Sequence, residues 1–488
     1  MMPEQDKSSS KEYWRQRLLA MNRAARRRDL ALHLGTPQPA GDDTQLLTIA
    51  ELQAIKRVEG GQANKIFHQA ADHFLRARVE PAQAILTTWM NGAKVELNGD
   101  KIPFNQVVSL CQDSHESEDR NQLTREVRAL CRFLTPFNQA TWQTMLECLQ
   151  DDLAYQDYIS FCEEKRSCSL LQAAAAARSF LAQTRETYQR LLPPLLREIT
   201  GLSMAKASRF DGIYLMGLRY LDHLFPQDFA IDDLLDFLHK VGHTLVKDQS
   251  RLIIHEHESP ASHPYCVPVA IPDEIHIIVG PIRGWLDLEG LCHELGHALS
   301  FLYSDPARPA EELDFSLAAG GTAESFAFLL QKMALDEGFL REVMALDAAS
   351  AALVAATHRL KWLTLARRYG AKLVLEVENF QQGRLSEGEE HYAATMAQET
   401  GFTYGPETYL FDLMPDFYSF DYFQAFLTAA ALEDILQEKF GPGWFQSRAA
   451  ASCLQNWWHQ GLGLDLFSKA KGTQQELLKI FIKDYKVA

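Results

Sequence analysis

The sequence predicts a mainly α-helical protein with a small β component. Long segments such as "NKIFHQAADHFLRARV" and "SLLQAAAAARSFLAQTRETYQRLL" carry apolar residues at helical spacing. Strand signals are few and short, and they occur in "VELNGDKIPF" and "YCVPVAIPDEIHIIVGP". We place helix breaks at Pro193-Pro194 and in "FGPGW", because proline and glycine interrupt helices.

The composition is that of a globular protein and excludes several functions. Of the 488 residues, 47% are hydrophobic and 23% are charged. The formal net charge of −16 argues against nucleic-acid binding, because phosphate-binding surfaces are basic. We expect no stable membrane insertion, since no apolar run is long enough to span a bilayer. The eight cysteines form no CxxC pair, which favours free thiols and a cytoplasmic location.

We divide the chain into three parts. Residues 1–45 comprise a basic N-terminal helix and the linker "LGTPQPAGDDTQ", residues 46–205 an N-terminal helical lobe, and residues 206–488 a second lobe. The basic segment "KEYWRQRLLAMNRAARRRDL" has two interpretations. It is either a membrane-surface or targeting helix, or a helix that packs Trp14, Leu18 and Leu19 against its neighbours.

Two regions predict strands. Asn98-Gly99 is a favourable two-residue hairpin turn between alternating apolar residues. The second region predicts two strands separated at Pro272. Pro268 has no N–H to donate, so we expect its strand at a sheet edge, where an extended peptide could pair with it.

Several histidines surround this second region. His263 and Tyr265 lie at the start of its first strand and are candidate substrate contacts. His255 and His257 alternate with glutamates. They form either a second metal site or an exposed polar loop.

The segment "GLCHELGHALSF" predicts a metal-binding helix over residues 285–304. Two imidazoles four residues apart, His293 and His297, can converge on one ion. Glu294 can then reach a water on that ion without binding the ion itself. Opposite them runs an apolar stripe, Leu288, Leu291, Leu295, Leu299 and Leu302. The alternative is that the histidines belong to an ordinary polar face exposed to solvent.

Two neighbours of the histidines have weaker assignments. Glu289 lies one turn before His293 and either orients that ring through its free nitrogen or forms a surface salt bridge. Cys292 points away from both histidines, and we assign it to the core.

A zinc enzyme needs a third protein ligand. The pattern HExxHxxGxxH is excluded, because Ser300 and Tyr303 stand where glycine and histidine would be required. Glu324 lies on the apolar face of a predicted helix, "AAGGTAESFAFLLQKM", and burying a carboxylate is costly unless it is paired or binds a metal. The alternatives are a first-turn glutamate favoured by the helix dipole and the connector residues Glu311, Glu312 and Asp314.

These motifs resemble the thimet oligopeptidase and oligoendopeptidase F group of zinc peptidases, and more distantly the carboxypeptidase Taq group. The resemblance covers about residues 205–445 and includes "HELGH", "GTAESFAFLLQ" and "FYSFDYFQAFLTAAALEDILQEKFGPGW". It implies a two-lobed helical shell around a deep channel, a zincin-like catalytic lobe over residues 206–488 and a small β-sheet beside the zinc helix. It also implies one Zn²⁺ per chain, held by His293, His297 and Glu324, with Glu294 as general base and acid.

The chain departs from the family pattern downstream of the metal motifs. Leu413 and Met414 occupy the neighbourhood of an expected histidine, and Ala425 stands where a second functional tyrosine is expected. Tyr418 and Tyr422 remain on one helical face. Their hydroxyls are candidates for stabilising the oxyanion of the transition state.

The sequence therefore predicts a zinc-dependent peptidase acting on short peptides, with a zinc-bound water as nucleophile and Glu294 as general base. Two alternatives remain open. One is a catalytically silent helical scaffold or peptide-binding protein with the peptidase fold, which the missing histidine and tyrosine suggest. The other is a zinc hydrolase of a non-peptide amide.

Overall fold

The computed structural model describes residues 10–37, 46–57, 63–257, 263–307, 320–460, 474–483 and 485. Eighteen α-helices dominate these described ranges. They are α1 (Lys11–His33), α2 (Ile49–Lys56), α3 (Ala63–Gly92), α4 (Val107–Asp113), α5 (Ser117–Glu147), α6 (Tyr158–Arg166), α7 (Leu170–Thr200), α8 (Arg209–Gly217), α9 (Ile231–Val241), α10 (Trp285–Leu302), α11 (Gly320–Ala334), α12 (Glu337–Glu342), α13 (Ala348–Gln381), α14 (Glu389–Thr400), α15 (Tyr409–Asp412), α16 (Tyr418–Phe440), α17 (Arg448–His459) and α18 (Gln474–Lys483).

The predicted hairpin forms between β1 (Lys94–Leu97) and β2 (Asp100–Pro103). Its turn residues Asn98 and Gly99 have φ angles of 53° and 90°. Positive φ at both positions matches the twist of the two strands, which is why the Asn-Gly pair marks this turn.

A three-stranded sheet contains the second predicted region. Its strands β3 (Leu252–Glu256), β4 (Tyr265–Ala270) and β5 (Glu274–Val279) lie in the order β3-β5-β4. β5 is parallel to β3 and antiparallel to β4. Strand β4 is therefore an edge strand, as Pro268 predicts.

This sheet lies between two helices. β4 and β5 pack against α10 on one face. On the other face Val267, Val269 and Ile278 form a small cluster with Leu30 and Leu34, at the end of α1. Trp14 and Leu18 of α1 are buried, so this helix packs against its neighbours as the second interpretation of the basic segment predicts.

One apolar core extends through most of the described chain, from Trp14 to Tyr485. Helix α13 packs against α7 and α16, and α11 packs against α10 and α16. These contacts place α10, α11 and α16 side by side. The predicted division of the chain near residue 205 stays a prediction.

The predicted helix break at Pro193-Pro194 is wrong, because α7 continues through both prolines to Thr200. The prolines remove the helical donors to the carbonyls of Gln189 and Arg190, but both residues are exposed to water. On the opposite side Leu192 and Leu196 are fully buried in the core. Their packing outweighs the lost hydrogen bonds. The predicted break in "FGPGW" is confirmed, since α16 ends at Phe440 and Gly441 has a φ of 85°.

The predicted mainly α fold with a small sheet beside α10 is confirmed. None of the helices that the structure describes has the length and apolarity needed to cross a membrane.

Candidate active site

Helix α10 forms as predicted and ends two residues earlier than expected, at Leu302. Its predicted apolar stripe is at most 1% exposed. The stripe consists of Leu288, Leu291, Leu295, Leu299 and Leu302. Cys292 is also buried in the core, as predicted.

The opposite face of α10 is largely covered as well, with the side chains of His293 and His297 each only 14% exposed, so its interpretation as a solvent-exposed polar face is wrong. Glu289 is 1% exposed and Ser300 is fully buried. Helix α11 covers this face at very short range. A Cβ atom added at Gly296 would lie 2.6 Å from the Cα of Ala327. Only glycine permits this approach, which brings Glu324 of α11 onto the two histidines.

Glu324 lies where one ion could be shared with both histidines. Its Oε2 is 3.3 Å from Nε2 of His293, and its Oε1 is 3.6 Å from Nε2 of His297. Two donors held about 2.1 Å from a tetrahedral ion are about 3.4 Å apart, so these separations fit a shared ion. The connector candidates Glu311, Glu312 and Asp314 lie outside the described residues.

The charges of this trio also suit a cation. Burial raises the pKa of Glu324, but His297, His293 and Tyr418 lower it to about 2 overall. Burial lowers the pKa of His293, whereas the nearby carboxylate of Glu324 raises it to about 9. Burial lowers the pKa of His297 to about 4. The trio thus pairs one carboxylate with one proton-bearing and one neutral imidazole, and a metal ion can replace that proton.

An orphaned atom supports the same conclusion. Oε2 of Glu324 is buried and has no hydrogen bond of normal geometry within the part of the chain that the structure describes, where it lies 3.3 Å from Nε2 of His293. Buried carboxylate oxygens are costly without a partner. Among the described ranges, His293, His297 and Glu324 form the one group of three or more potential ligands close enough to share an ion.

His293 is oriented through an amide that sequence reasoning missed. Its Nδ1 lies 2.8 Å from Oε1 of Gln331, and Nε2 of Gln331 donates a 2.7 Å hydrogen bond to Glu289. Gln331 lies seven residues after Glu324, two helical turns along the same face. That spacing is the signal that could have revealed it.

Glu289 is therefore neither a direct partner of His293 nor part of a surface salt bridge. Its buried carboxylate pairs with Lys361 and lies 3.3 Å from Nε2 of His358. Burial raises the pKa of Glu289, but Lys361 and His358 lower it to about 2. The charged carboxylate fixes the Gln331 amide, and the amide in turn fixes the ring of His293.

Glu294 lies beside the trio and lines the adjacent cleft. Burial raises the pKa of its carboxyl to about 7, against an opposing effect of His293. The backbone N–H of Cys266, in edge strand β4, also opposes this rise. A pKa near neutrality allows the group to accept and return a proton.

The two predicted tyrosines lie on the other side of Glu324. The hydroxyl of Tyr418 donates a 2.5 Å hydrogen bond to Oε1 of Glu324. The ring of Tyr422 packs edge-on against Tyr418, at 5.0 Å, and stacks on Tyr369, at 4.6 Å. Tyr369 lines the cleft and was not predicted. Burial and Glu324 raise the pKa of both predicted tyrosines well above the usual value, so their hydroxyls stay neutral.

The cleft has a volume of about 470 Å³. Val108, Ile213, Met216 and Phe402 contribute an apolar part of its lining. The predicted substrate contact His263 also lines it. Tyr265, the other predicted contact, is 42% exposed and its ring lies 4.1 Å from that of His33 in α1.

Cations lie along another part of the cleft. Arg209 and Arg368 line it, and both pair with the buried carboxylate of Asp412, as does Lys372. Burial raises the pKa of Asp412, but these three cations hold it well below the usual range. Three cations thus face the carboxylate of Asp412, and the carboxyl of Glu376 also interacts with Lys372.

The departures from the family pattern have clear positions. Ala425 stands at the position of the expected second tyrosine and is fully buried. Its methyl group supplies no hydroxyl there. Tyr404, in the preceding loop, lines the cleft.

His255 does not join His257 in a metal site within the described residues. The Nε2 atom of His255 instead lies 2.9 Å from Nδ1 of His276.

Comparisons with known proteins relate the chain to peptidase structures through its fold. No protein-family model matches the sequence, and no curated protein does. A protein assigned as an oligoendopeptidase F from Bacillus anthracis str. Ames has a TM-score of 0.60 and 12% identity, over 98% of this chain and 83% of that one. An M32 carboxypeptidase from Deinococcus radiodurans R1 has a TM-score of 0.57 and 17% identity, over 97% and 98% of the two chains.

Metallocarboxypeptidase 1 of Trypanosoma cruzi is similar as well, with a TM-score of 0.52 and 15% identity over 97% of this chain and 99% of that one. These structures define a class of helical peptidases whose fold this chain shares. The oligoendopeptidase F and carboxypeptidase parts of the resemblance are thus confirmed at the level of the fold. Identities this low establish the fold and leave the activity to be argued from the site.

Proposed function

We propose that this chain is a zinc-dependent peptidase that hydrolyses short peptides. The observation that carries the proposal is the convergence of His293, His297 and Glu324 beside Glu294, at the wall of a cleft. Two imidazoles and one carboxylate form a donor set typical of catalytic zinc, which leaves one position open for water or substrate. The fold shared with oligoendopeptidase and carboxypeptidase structures supports the same class.

Zinc held by His293, His297 and Glu324 would supply Lewis acidity, which makes water a better nucleophile and polarises a carbonyl. Glu294 accepts the proton of the attacking water and returns it to the leaving amine. The backbone N–H of Cys266 favours the charged form of this carboxyl, which is the form that accepts the proton. The Glu289–Gln331 pair keeps Nε2 of His293 turned towards Glu324.

Tyr418 and Tyr422 are the proposed donors to the oxyanion. Both hydroxyls stay neutral, and their rings are fixed by mutual packing and by Tyr369. Such donors stabilise the transition state, and Tyr418 does so when its single proton turns from Glu324 to the oxyanion. They would compensate for the missing histidine and for Ala425.

The lining of the cleft suggests which peptides bind. Edge strand β4 offers backbone pairing to an extended chain, with His263 and Tyr265 at its start. The guanidinium groups of Arg209 and Arg368 favour peptides with a carboxylate at that end. All eight cysteines are free thiols, which supports a cytoplasmic location.

The proposal is tested by measuring zinc in the purified chain and hydrolysis of a quenched fluorescent peptide panel, with and without a chelator. The panel contains each peptide with a free and with an amidated C-terminus. We expect about one zinc per chain and chelator-sensitive cleavage. A metal-free chain that binds peptides without cleaving them would be a silent scaffold. A zinc-loaded chain inactive on every peptide would favour a non-peptide amide.

A further inference from the structure

The turn just before Tyr418 has an unusual backbone. Asp416 and Phe417 have φ angles of 58° and 53°, in the left-handed region. Non-glycine residues rarely adopt this conformation, and a bulky residue such as phenylalanine does so least readily. Two in succession persist only where surrounding contacts hold them. This turn sets the position of the first residue of α16, which is Tyr418.

Helix α6, from the N-terminal half of the chain, supplies those contacts. The backbone N–H of Asp416 donates a 2.6 Å hydrogen bond to the hydroxyl of Tyr158. The ring of Tyr158 also stacks on that of Phe417, at 5.4 Å. At the other end of α6, Nζ of Lys165 lies 3.1 Å from Oδ2 of Asp416. The turn is therefore held from both ends of one short helix.

Arg166, the last residue of α6, makes the most extensive contacts. Its Nε and one terminal nitrogen both donate to the carbonyl of Asp416, at 3.0 and 2.6 Å. The other terminal nitrogen donates a 2.6 Å hydrogen bond to Oδ1 of Asp421 in the first turn of α16. The side chains of Arg166 and Asp421 are only 7% and 4% exposed. One guanidinium thus joins the turn to the helix that follows it.

The same ion pair abuts the helix that carries Glu324. A Cβ atom at Gly321, in α11, would lie 3.4 Å from Oδ1 of Asp421. Through Asp421, Arg166 is therefore linked to the helix that carries Tyr418 and lies close to the helix that carries Glu324.

We propose that Arg166 is a positioning residue that acts through Tyr418. By holding the carbonyl of Asp416 and the carboxylate of Asp421, it fixes the left-handed turn and aims the Tyr418 hydroxyl at the catalytic site. The expected effect of Arg166 on kcat rests on the proposed function. Its expected effect on the backbone of the turn does not.

The kinetic test is a double-mutant cycle of Arg166→Met and Tyr418→Phe. A small displacement of a catalytic group can cost about 10² in rate, so we expect Arg166→Met to lower kcat about 100-fold with little change in KM. In the Tyr418→Phe background the same substitution should change kcat by less than about threefold, because residues that act as a unit are not additive. Additive losses would overturn the proposal.

The matched control is Arg367→Met. Arg367 is also a buried arginine, and it donates to the carboxylate and the carbonyl of Glu399 and to the carbonyl of Leu181. Its loss should lower the melting temperature. The effects of Arg367→Met and Tyr418→Phe on kcat should be independent, so that they add in the double mutant. Arg166→Lys, which can reach only one of the two acceptors at a time, serves if Arg166→Met does not fold. We expect it to retain part of the coupling.

Hydrogen exchange provides a readout that does not depend on activity. The amides of residues 416–421 should exchange faster in Arg166→Met than in the wild type, and at the wild-type rate in Arg367→Met. Unchanged exchange in Arg166→Met would overturn the proposal. If the wild-type chain cleaves no peptide, the proposed function fails, and the exchange comparison still decides whether Arg166 holds the turn.

Discussion

The hydroxyl of Tyr418 and the carboxylate of Glu324 form a 2.5 Å hydrogen bond between α16 and α11. The same carboxylate faces His293 and His297 of α10. Three helices therefore meet at one carboxylate. Its pKa is lowered to about 2 by these neighbours despite burial, so it stays charged at neutral pH.

Replacing Tyr418 by phenylalanine should lower kcat by about 10² to 10³, the usual cost of losing one oxyanion donor. Zinc content and KM should stay near wild type because the ring still fills its place, while the melting temperature should fall because the buried Glu324 carboxylate loses a hydrogen bond. Tyr422→Phe is measured in parallel, and at least one of the two should show the loss. Tyr404→Phe and Tyr409→Phe are the loop controls. Full kcat in both helix variants with a loss in either loop variant would move the donor to the loop.

Replacing Glu294 by glutamine should abolish nearly all peptide hydrolysis while zinc stays bound. The amide fills the same space and can still interact with the Cys266 N–H, but it cannot accept a proton from water. Metal analysis and peptide kinetics on one preparation check both statements. Near-normal turnover would remove Glu294 from the mechanism.

Replacing Glu324 by alanine should release zinc from the purified chain. Glu324 is the carboxylate that lies against both histidines, and a methyl group in its place cannot bind zinc. Glu311→Ala and Glu312→Ala should keep their zinc. If either of these loses zinc while Glu324→Ala remains loaded, the ligand assignment is reversed.

Gly296→Ala should weaken zinc binding, although residue 296 is not a ligand. The added Cβ would lie 2.6 Å from the backbone of Ala327, so α10 and α11 must separate and Glu324 must move from the histidines. We expect a loss of about 10- to 100-fold in zinc affinity, as for other groups that orient metal ligands. Gly92→Ala is the control, since its Cβ would meet nothing within 4 Å. Unchanged zinc affinity in Gly296→Ala would contradict the close helix crossing.

Glu376 should make stability depend on pH. Burial raises the pKa of this carboxyl to about 7, although Lys372, Ser419 and the Met414 amide lower it. The folded state holds the proton of Glu376 more tightly than the unfolded chain does. The contribution of this carboxyl to the stability of the folded state is therefore fully present below about pH 4.5 and is lost as pH rises through about 7. In Glu376→Gln this loss is absent. The free energy of unfolding of the variant, relative to that of the wild type, should therefore be higher at pH 8 than at pH 4 by up to about 3 kcal/mol. Denaturant unfolding at both pH values measures the difference, and equal effects would contradict the raised pKa.

Much of the site was predictable because its signals are local. The spacing of His293 and His297 predicts a shared helical face, and the leucine stripe predicts the buried one. Asn98-Gly99 predicts a hairpin turn and Pro268 an edge strand, because each residue restricts its own backbone. Glu324 was predictable as a carboxylate on an apolar helix face, which requires a partner.

Tertiary packing decided what these local signals cannot specify. The continuation of α7 through Pro193-Pro194 depends on which side of the helix is buried. The Gln331 link between Glu289 and His293, the contact of Tyr418 with Glu324 and the hold of Arg166 on a left-handed turn each join residues from different helices. The sequence by itself determined which residues share a helix face, since that follows from 3.6 residues per turn. The tertiary structure decided which faces meet, since that depends on side-chain volumes across the whole core.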